Sequence, residues 1–305
     1  MRGIRILRPG FFTTIQDGGR PGASRWGVPA SGFADAASAA LANALAGNPP
    51  DSALLEAALG AIEIEAMEGV ALGVAGAAAE VSVNGAPADR RRTVVLRAGD
   101  RLGIGRATAG LRVYVAVGGG IDVPRILGSR SALVPSAFGG FTGRKLSAGD
   151  ELACGSAPPP AIRSLGAEDV LPLGGGVVRA LPGPQSDLFS PEARRLFFGE
   201  PLRVSPRSDR RGIRLEGVGV SPSKGEIEPE GVAVGSVQVP AGGEPIVRMP
   251  DGPVTGGYPK IAVVIRADLP LLGQWRPGEM VRFREVSRAE ALSADAARRP
   301  AERPA

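Results

Sequence analysis

Ala61-Ile62-Glu63-Ile64-Glu65-Ala66 alternates apolar and acidic residues, and Val81-Ser82-Val83 runs directly into Asn84-Gly85. The alternation is that of a strand with one face buried, and Asn-Gly is the dipeptide that accepts the left-handed backbone of a tight hairpin. Working outward, residues 93–96, 101–104 and 111–117 continue the strand pattern. So do residues 232–239, 245–249, 261–266 and 280–286 in the second half. Met1-Arg2-Gly3-Ile4-Arg5-Ile6-Leu7-Arg8 alternates as well, so it reads as a strand and not as the apolar core of a signal peptide. Helical signal is concentrated in residues 35–46, rich in alanine and leucine and stopped by Gly47-Asn48-Pro49-Pro50. The expected fold is therefore mainly β, in two lobes with few short helices.

The boundaries follow from composition. Pro158-Pro159-Pro160 and Gly174-Gly175-Gly176 bracket a polar stretch that reads as a linker. This gives an N-terminal β lobe with one helix over residues 1–157, a linker over 158–176 and a strand-rich C-terminal lobe over 177–290, which the resemblance given below implies is a β-barrel. The Ala-, Arg-, Glu- and Pro-rich end, 291–305, reads as a frayed helix or a disordered tail. A weak repeat spans both lobes: Leu96-Arg97-Ala98-Gly99-Asp100, Leu146-Ser147-Ala148-Gly149-Asp150 and, more loosely, Trp275-Arg276-Pro277-Gly278-Glu279. Each places Gly-Asp or Gly-Glu before a strand, which is turn chemistry that a duplication or simple reuse explains equally well.

Composition excludes several chemistries. The 305 residues contain no histidine and one cysteine, Cys154, so a histidine triad, a zinc site with N or S ligands and an Fe–S cluster have no ligands. No internal disulfide can form, which fits a reducing, cytoplasmic setting. Only Lys145, Lys224 and Lys260 among the 36 basic residues are lysines. Acid–base work falls to carboxylates, tyrosine, lysine or water. The 45 glycines and 28 prolines suit short strands and tight turns, and 43% hydrophobic residues suffice for packed cores. A net charge of +5 without a basic stripe interleaved with aromatics gives no nucleic-acid surface. The most apolar run, residues 70–79, is half the roughly 20 residues a membrane helix needs.

Four segments concentrate polar chemistry. Thr13-Thr14-Ile15-Gln16-Asp17-Gly18-Gly19-Arg20 sets Gln16, Asp17 and Arg20 in a loop whose glycines and prolines fix its shape. Thr255-Gly256-Gly257-Tyr258-Pro259-Lys260 supplies a hydroxyl, a phenol and an ammonium beside two glycines that let a ligand approach the backbone. The alternative for Lys260 is a hairpin turn with the lysine in water. In Ser208-Asp209-Arg210-Arg211-Gly212-Ile213-Arg214, a strand would place Arg210 and Arg214 on one face as a carboxylate or phosphate clamp. Ion pairing with Asp209 and Glu216 explains the same residues. Gln238-Val239-Pro240, after Glu228-Pro229-Glu230, offers an amide to read an amide or ureide. Gly118-Gly119-Gly120 lacks both the P-loop ending and the Gly-x-Gly-x-x-Gly spacing. Gly183-Pro184-Gln185 is a turn first.

In order, these pieces resemble the KipA-type family, also called allophanate hydrolase subunit 2 or the biotin-dependent carboxyltransferase family. The resemblance runs from about residue 4 to 286. It rests on the 13–35 segment, Gly47-Asn48, Leu55-Glu56, Tyr114-Val115-Ala116-Val117, Gly119-Gly120-Ile121, Leu127-Gly128-Ser129-Arg130-Ser131, Gly143-Arg144 and Gly149-Asp150. Pro182-Gly183-Pro184-Gln185 and the Ser208, Gln238 and Thr255 segments complete it. It implies cyclophilin-like barrel lobes and a KipI-type partner. It further implies a subunit of an ATP-dependent 5-oxoprolinase, which with an A subunit opens the lactam of 5-oxoproline to glutamate. The ATP belongs to the complex; no cofactor or metal is expected on this chain alone. Related domains transfer carboxyl from carboxybiotin to urea, and a KipI/KipA-type pair can act as a non-catalytic regulator. The chain has no Met-Lys-Met biotin-attachment motif, so it would be the acceptor part of a carboxylase. It departs from the family pattern at Pro229, where a serine is usual before the glutamate, and at Pro253 in the approach to Gly-Gly-Tyr. On this reading Lys260, Tyr258, Asp17 and Asp209 are the catalytic candidates. Gln16, Arg20, Arg210, Arg214, Gln238, Thr255, Gly256 and Gly257 would bind substrate.

Overall fold

A computed structural model describes residues 3–156, 161–166 and 173–297. These fall into two compact units, one built from the chain up to Arg20 with Ser31–Leu173, the other from Pro21–Ala30 with the described residues from Gly174 to 297. The first lobe is thus not continuous in sequence, because the short segment after Arg20 belongs with the second. The expected linker lies partly outside the described residues. Of its described parts, 161–166 is fastened to unit 1, with Thr93 N–H donating to Arg163 O at 2.9 Å and Leu165 N–H to Arg91 O at 2.8 Å.

In unit 1 the strands are β1 (Gly3–Pro9), β2 (Phe12–Gln16), β3 (Leu54–Ala58), β4 (Gly60–Ala66), β5 (Val70–Ala78) and β6 (Val81–Val83). They continue with β7 (Ala86–Pro87), β8 (Val94–Leu96), β9 (Arg101–Arg106), β10 (Ala109–Val117) and β11 (Glu151–Ala153). They form a six-stranded sheet, β11-β1-β4-β9-β6-β7, and a five-stranded sheet, β2-β3-β10-β5-β8. The period-two residues meet between the sheets: Ile4, Ile6, Ile62, Ile64, Leu102 and Ile104 join Leu55, Leu72, Val113 and Val115 in one core. Helix α1 (Ala36–Ala46) covers the outer face of the five-stranded sheet with Ala39, Ala42 and Ala46 against Ala75, Tyr114 and Ala116. Its small side chains permit close approach: a Cβ on Gly73 would lie 2.0 Å from Ala42 O. With both its faces covered, β5 needs the glycine-interrupted apolar run that stood out in the sequence. Asp35 caps α1 by accepting from Ser38 N at 2.9 Å, and Gly47 ends it at φ +78°. Asn84 and Gly85 both take positive φ, as the hairpin requires.

Unit 2 holds β12 (Val177–Pro182), β13 (Leu202–Val204), β14 (Gly212–Glu216), β15 (Glu230–Gly231), β16 (Ser236–Gln238), β17 (Ile246–Arg248), β18 (Thr255–Gly256), β19 (Lys260–Val264) and β20 (Met280–Glu285). Seven of these close into a barrel, β12-β19-β16-β17-β14-β13-β20, and β15 pairs with β18 as a separate ribbon. The barrel is as expected for the second lobe, whereas the first lobe is a pair of packed sheets. Residues 232–239 do not form one strand. Gly235 turns at φ +85°, leaving Ser236–Gln238 in the barrel, while Val232 N–H bonds Val254 O beside the ribbon. The sequence reading lacks α2 (Pro191–Gly199), which plugs one side of the barrel through Phe197 stacked on Phe283 at 4.6 Å. It also lacks the single-turn α3 (Leu269–Leu272). At the end of the described chain α4 (Arg288–Ala296) opens with a full Ser287/Glu290 capping box, so residues 291–296 are helical; residues 298–305 lie outside the described residues.

The three repeats are one turn used three times. Asp100, Asp150 and Glu279 accept from the backbone N–H three residues earlier (Arg97, Ser147, Arg276) at 2.7–2.9 Å, and Gly99, Gly149 and Gly278 all have φ near +90°. The carboxylate closes the loop and glycine alone tolerates its left-handed corner.

Candidate functional site

The barrel places Lys260 at the first residue of β19, opposite Gln238 at the last residue of β16. Directly opposed residues of an antiparallel pair present their side chains on one face. Lys260 is 3% exposed, so it is a buried ammonium and not a turn lysine in water. An unpaired buried charge is costly, and its partner is Glu230 on β15, to which Nζ donates. Gln185, just past β12, completes a ring: its Nε2 donates to Glu230 Oε1 at 2.8 Å, and its Oε1 accepts the Lys260 backbone N–H at 3.3 Å. The Lys260 bond, then the Gln185 bond, hold the Glu230 carboxyl below the usual glutamate range. Gln238, 8% exposed, has an Nε2 that finds no acceptor among the described residues. The site is thus rich in donors, two of which converge on one carboxylate oxygen.

The two glycine motifs serve this ring sterically. A Cβ on Gly256 would come within 2.4 Å of Gln238 Nε2, and one on Gly183 within 2.0 Å of Lys260 O. Neither glycine has positive φ; what matters is the absent side chain. Thr255 and Gly256 lie in the β15–β18 ribbon, with Thr255 exposed and Tyr258, 39% exposed, on the loop leading into Lys260.

The arginine cluster is arranged differently from the expected clamp. Strand β14 begins only at Gly212, so Arg210 precedes it and does not share a strand face with Arg214. Its guanidinium grips Asp251 from Nε at 2.7 Å and from Nη2 at 3.1 Å, both side chains buried. Arg248 donates to Pro253 O at 2.7 Å and Gly252 O at 3.0 Å, and burial lowers its pKa. Together Arg210, Asp251 and Arg248 fasten the turn that leads into Thr255. Asp209 accepts from Arg211 N at 2.7 Å and from its Nε at 2.9 Å, closing its own turn. Arg214 sits in β14, half-buried.

Gln16, Asp17 and Arg20 belong to unit 1, where they are described on their own. Asp17 accepts from Gly19 N at 2.8 Å and from Ser129 Oγ, Arg130 N and Ser131 Oγ, each at 2.6 Å. Four donors tie the carboxylate to the 129–131 loop. Gln16 donates to Thr14 Oγ1 at 3.0 Å and Ala132 O at 3.1 Å, and Arg20, fully buried, donates to Ser131 O and lies 5.0 Å from the Phe138 ring. This trio fixes a loop. Glu56 and Tyr114 extend the scaffold: Tyr114 Oη donates to Glu56 Oε2 at 3.0 Å and accepts Asp35 N–H at 2.8 Å. The sequence reading passes over Gln185 and Glu230 as site residues. Both sit next to motifs it selects, and their signal is the steric demand of Gly183 and Gly256, visible only in three dimensions.

Among the described residues no cluster of three metal-binding side chains occurs, and no helix is long and apolar enough to cross a membrane.

Two packed sheets with one covering helix, followed by a seven-stranded barrel, define a mainly β, two-unit domain class. Residues 26–285 match the family described as carboxyltransferase domain, subdomain A and B, and the chain belongs to that family. It is 36% identical to the C subunit of 5-oxoprolinase from Escherichia coli (strain K12) over 95% of this chain and 94% of the relative. It is 34% identical to urea amidolyase of Lachancea kluyveri over 93% of this chain but 17% of that protein. The structure of the Kluyveromyces lactis urea carboxylase superposes with a TM-score of 0.91 at 30% identity, covering 97% of this chain and 29% of that one.

Proposed function

We propose that this chain is the C-type subunit of an ATP-dependent 5-oxoprolinase, opening the lactam of 5-oxoproline to glutamate together with a KipI-type partner and an A subunit, in the cytoplasm. The observation that carries this reading is the reciprocal, nearly full-length match to a 5-oxoprolinase C subunit, set against a match to one sixth of the urea enzyme. The donor-rich barrel site supports it. Lys260 and Gln185 hold the substrate carboxylate, and Gln238 Nε2, a donor in want of an acceptor, takes the lactam carbonyl. Fixed donors aimed at an oxygen that gains charge favour attack at its carbon. Hydrolysis adds water across the C–N bond and leaves the ring nitrogen as an amine that takes up a proton; Tyr258 is the proton-transfer candidate on the half-exposed loop. Arg214 stands in the cross-strand row that runs through Ile246 to Gln238 and Lys260. Asp17, Asp209 and Arg210 are assigned to holding loops, because their polar groups are spent on neighbours, and Arg20 is assigned with them through its bond to Ser131 O.

The test is 5-oxoproline-dependent ATP hydrolysis by the reconstituted complex. Omission of this chain abolishes it, and Lys260→Ala lowers kcat/KM by roughly tenfold or more, the order lost with a hydrogen bond to a charged group. Turnover unchanged in Lys260→Ala overturns the site assignment. A second reading, acceptance of carboxyl from carboxybiotin by urea or a related amide, is favoured by the superposition on urea carboxylase. Carboxylation of urea without 5-oxoproline turnover would select it. A stable complex with neither activity would select a regulatory binder.

A further inference from the structure

Glu230 differs from the other members of its ring in what carries it. Lys260 is the first residue of barrel strand β19, and Gln185, in the turn after β12, is tied to it through the Lys260 N–H. Glu230 stands on the two-residue strand β15, outside the barrel, paired only to Thr255–Gly256 and bracketed by the Ile227 N–H to Gly257 O and Val232 N–H to Val254 O bonds. Residues 217–229 before it form no helix or strand. Its side chain is 44% exposed, against 4% for Lys260. The Lys260 donor is therefore fixed and buried, and the acceptor is peripheral.

We propose that Glu230 is a built-in carboxylate surrogate, occupying on Lys260 and Gln185 the position that the carboxylate of a small lactam acid takes, so that binding exchanges one carboxylate for another and releases the β15–β18 ribbon. This rests on the reading of the Lys260 site given above. The exchange follows from electrostatics. Moving Glu230 away alone strands a buried ammonium, which is heavily penalised, whereas an incoming anion restores the pair as it leaves. A neutral molecule such as urea cannot make that exchange, so the device selects anionic ligands. It also couples occupancy to Thr255, Gly256 and the loop carrying Tyr258, which share the ribbon.

The experiment is hydrogen exchange and calorimetric titration of the full chain with 5-oxoproline, and with urea as the neutral comparison. In the native chain, saturating 5-oxoproline speeds exchange at the Ile227 and Val232 amides, and urea does not. In Glu230→Gln, and more so in Glu230→Ala, 5-oxoproline binds at least about tenfold more tightly, and in the reconstituted complex KM falls. Slower ribbon exchange with ligand, weaker binding in both variants, or loss of kcat at unchanged KM overturns the surrogate role. Lys260→Ala separates this from the underlying reading. Native binding that vanishes in Lys260→Ala while the Glu230 variants fail to tighten it sinks the surrogate alone. No 5-oxoproline binding by any variant, Glu230→Ala included, sinks the site assignment with it.

Discussion

Gly183 and Lys260 meet backbone to backbone: a Cβ on Gly183 would sit 2.0 Å from Lys260 O and 2.9 Å from Ala262 N. The turn after β12 thus docks onto the start of β19, and this carries Gln185 to the Lys260 N–H. Because the obstacle is backbone in a closed barrel, it cannot rotate away. Gly183→Ala is expected to lower stability by about 1–3 kcal/mol, the range for overpacking, as measured by urea unfolding. Turnover in the complex falls with it, since the Lys260–Gln185 geometry shifts.

Gly256→Ala makes a contrasting case. Its Cβ would meet the end of a side chain, Gln238 Nε2, which can swing aside. Stability is expected to change by less than about 1 kcal/mol. On the proposed reading the displaced Gln238 no longer reaches the substrate carbonyl, so kcat/KM for 5-oxoproline is expected to fall, and steady-state kinetics beside a melting curve show the split.

Asp17→Asn distinguishes loop-holding from proton transfer. An amide keeps one acceptor oxygen but turns an N–H toward a donor now served by a carboxylate oxygen, either Arg130 N or the serine pair. A buried donor left facing a donor costs about 1–3 kcal/mol. The expected result is a lowered unfolding midpoint with turnover, measured well below that midpoint, reduced less than about threefold. A loss of several hundredfold at unchanged stability would return Asp17 to catalysis.

Period-two alternation, Asn84-Gly85 and the Gly47 stop are local signals, and each fixes an element with little help from the rest of the chain. Helix α2 escapes because its apolar side, Ala193 and Phe197, is two residues in a charged segment, and it is helical for its packing on Phe283. Lys260 stands out by rarity. Glu230 does not, because its link to Lys260 spans 30 residues and depends on a ribbon no periodicity announces. Arg210 fails as a clamp for the same reason: its partner, Asp251, lies 41 residues away.

Tyr114 ties stability to alkaline pH. Its hydroxyl is fully buried between Glu56 and Asp35, and burial, then the Glu56 and Asp35 charges, push its pKa well above 10. The sign follows from linkage. The neutral phenol is favoured in the folded chain, so below the ordinary tyrosine pKa of about 10 the contribution is fully present. As pH rises past that value the unfolded chain ionises and the folded one does not, so stability falls until the folded pKa is reached. Tyr114→Phe removes this dependence but strands the Asp35 N–H and one Glu56 oxygen site, at about 1–3 kcal/mol near neutrality. With only two tyrosines in the chain, absorbance near 295 nm reports the event directly. One phenolate equivalent, present in the native chain and missing from Tyr114→Phe, is expected to appear only together with alkaline unfolding followed by circular dichroism. A Tyr114 phenolate formed while the sheets remain intact would refute the buried network as drawn.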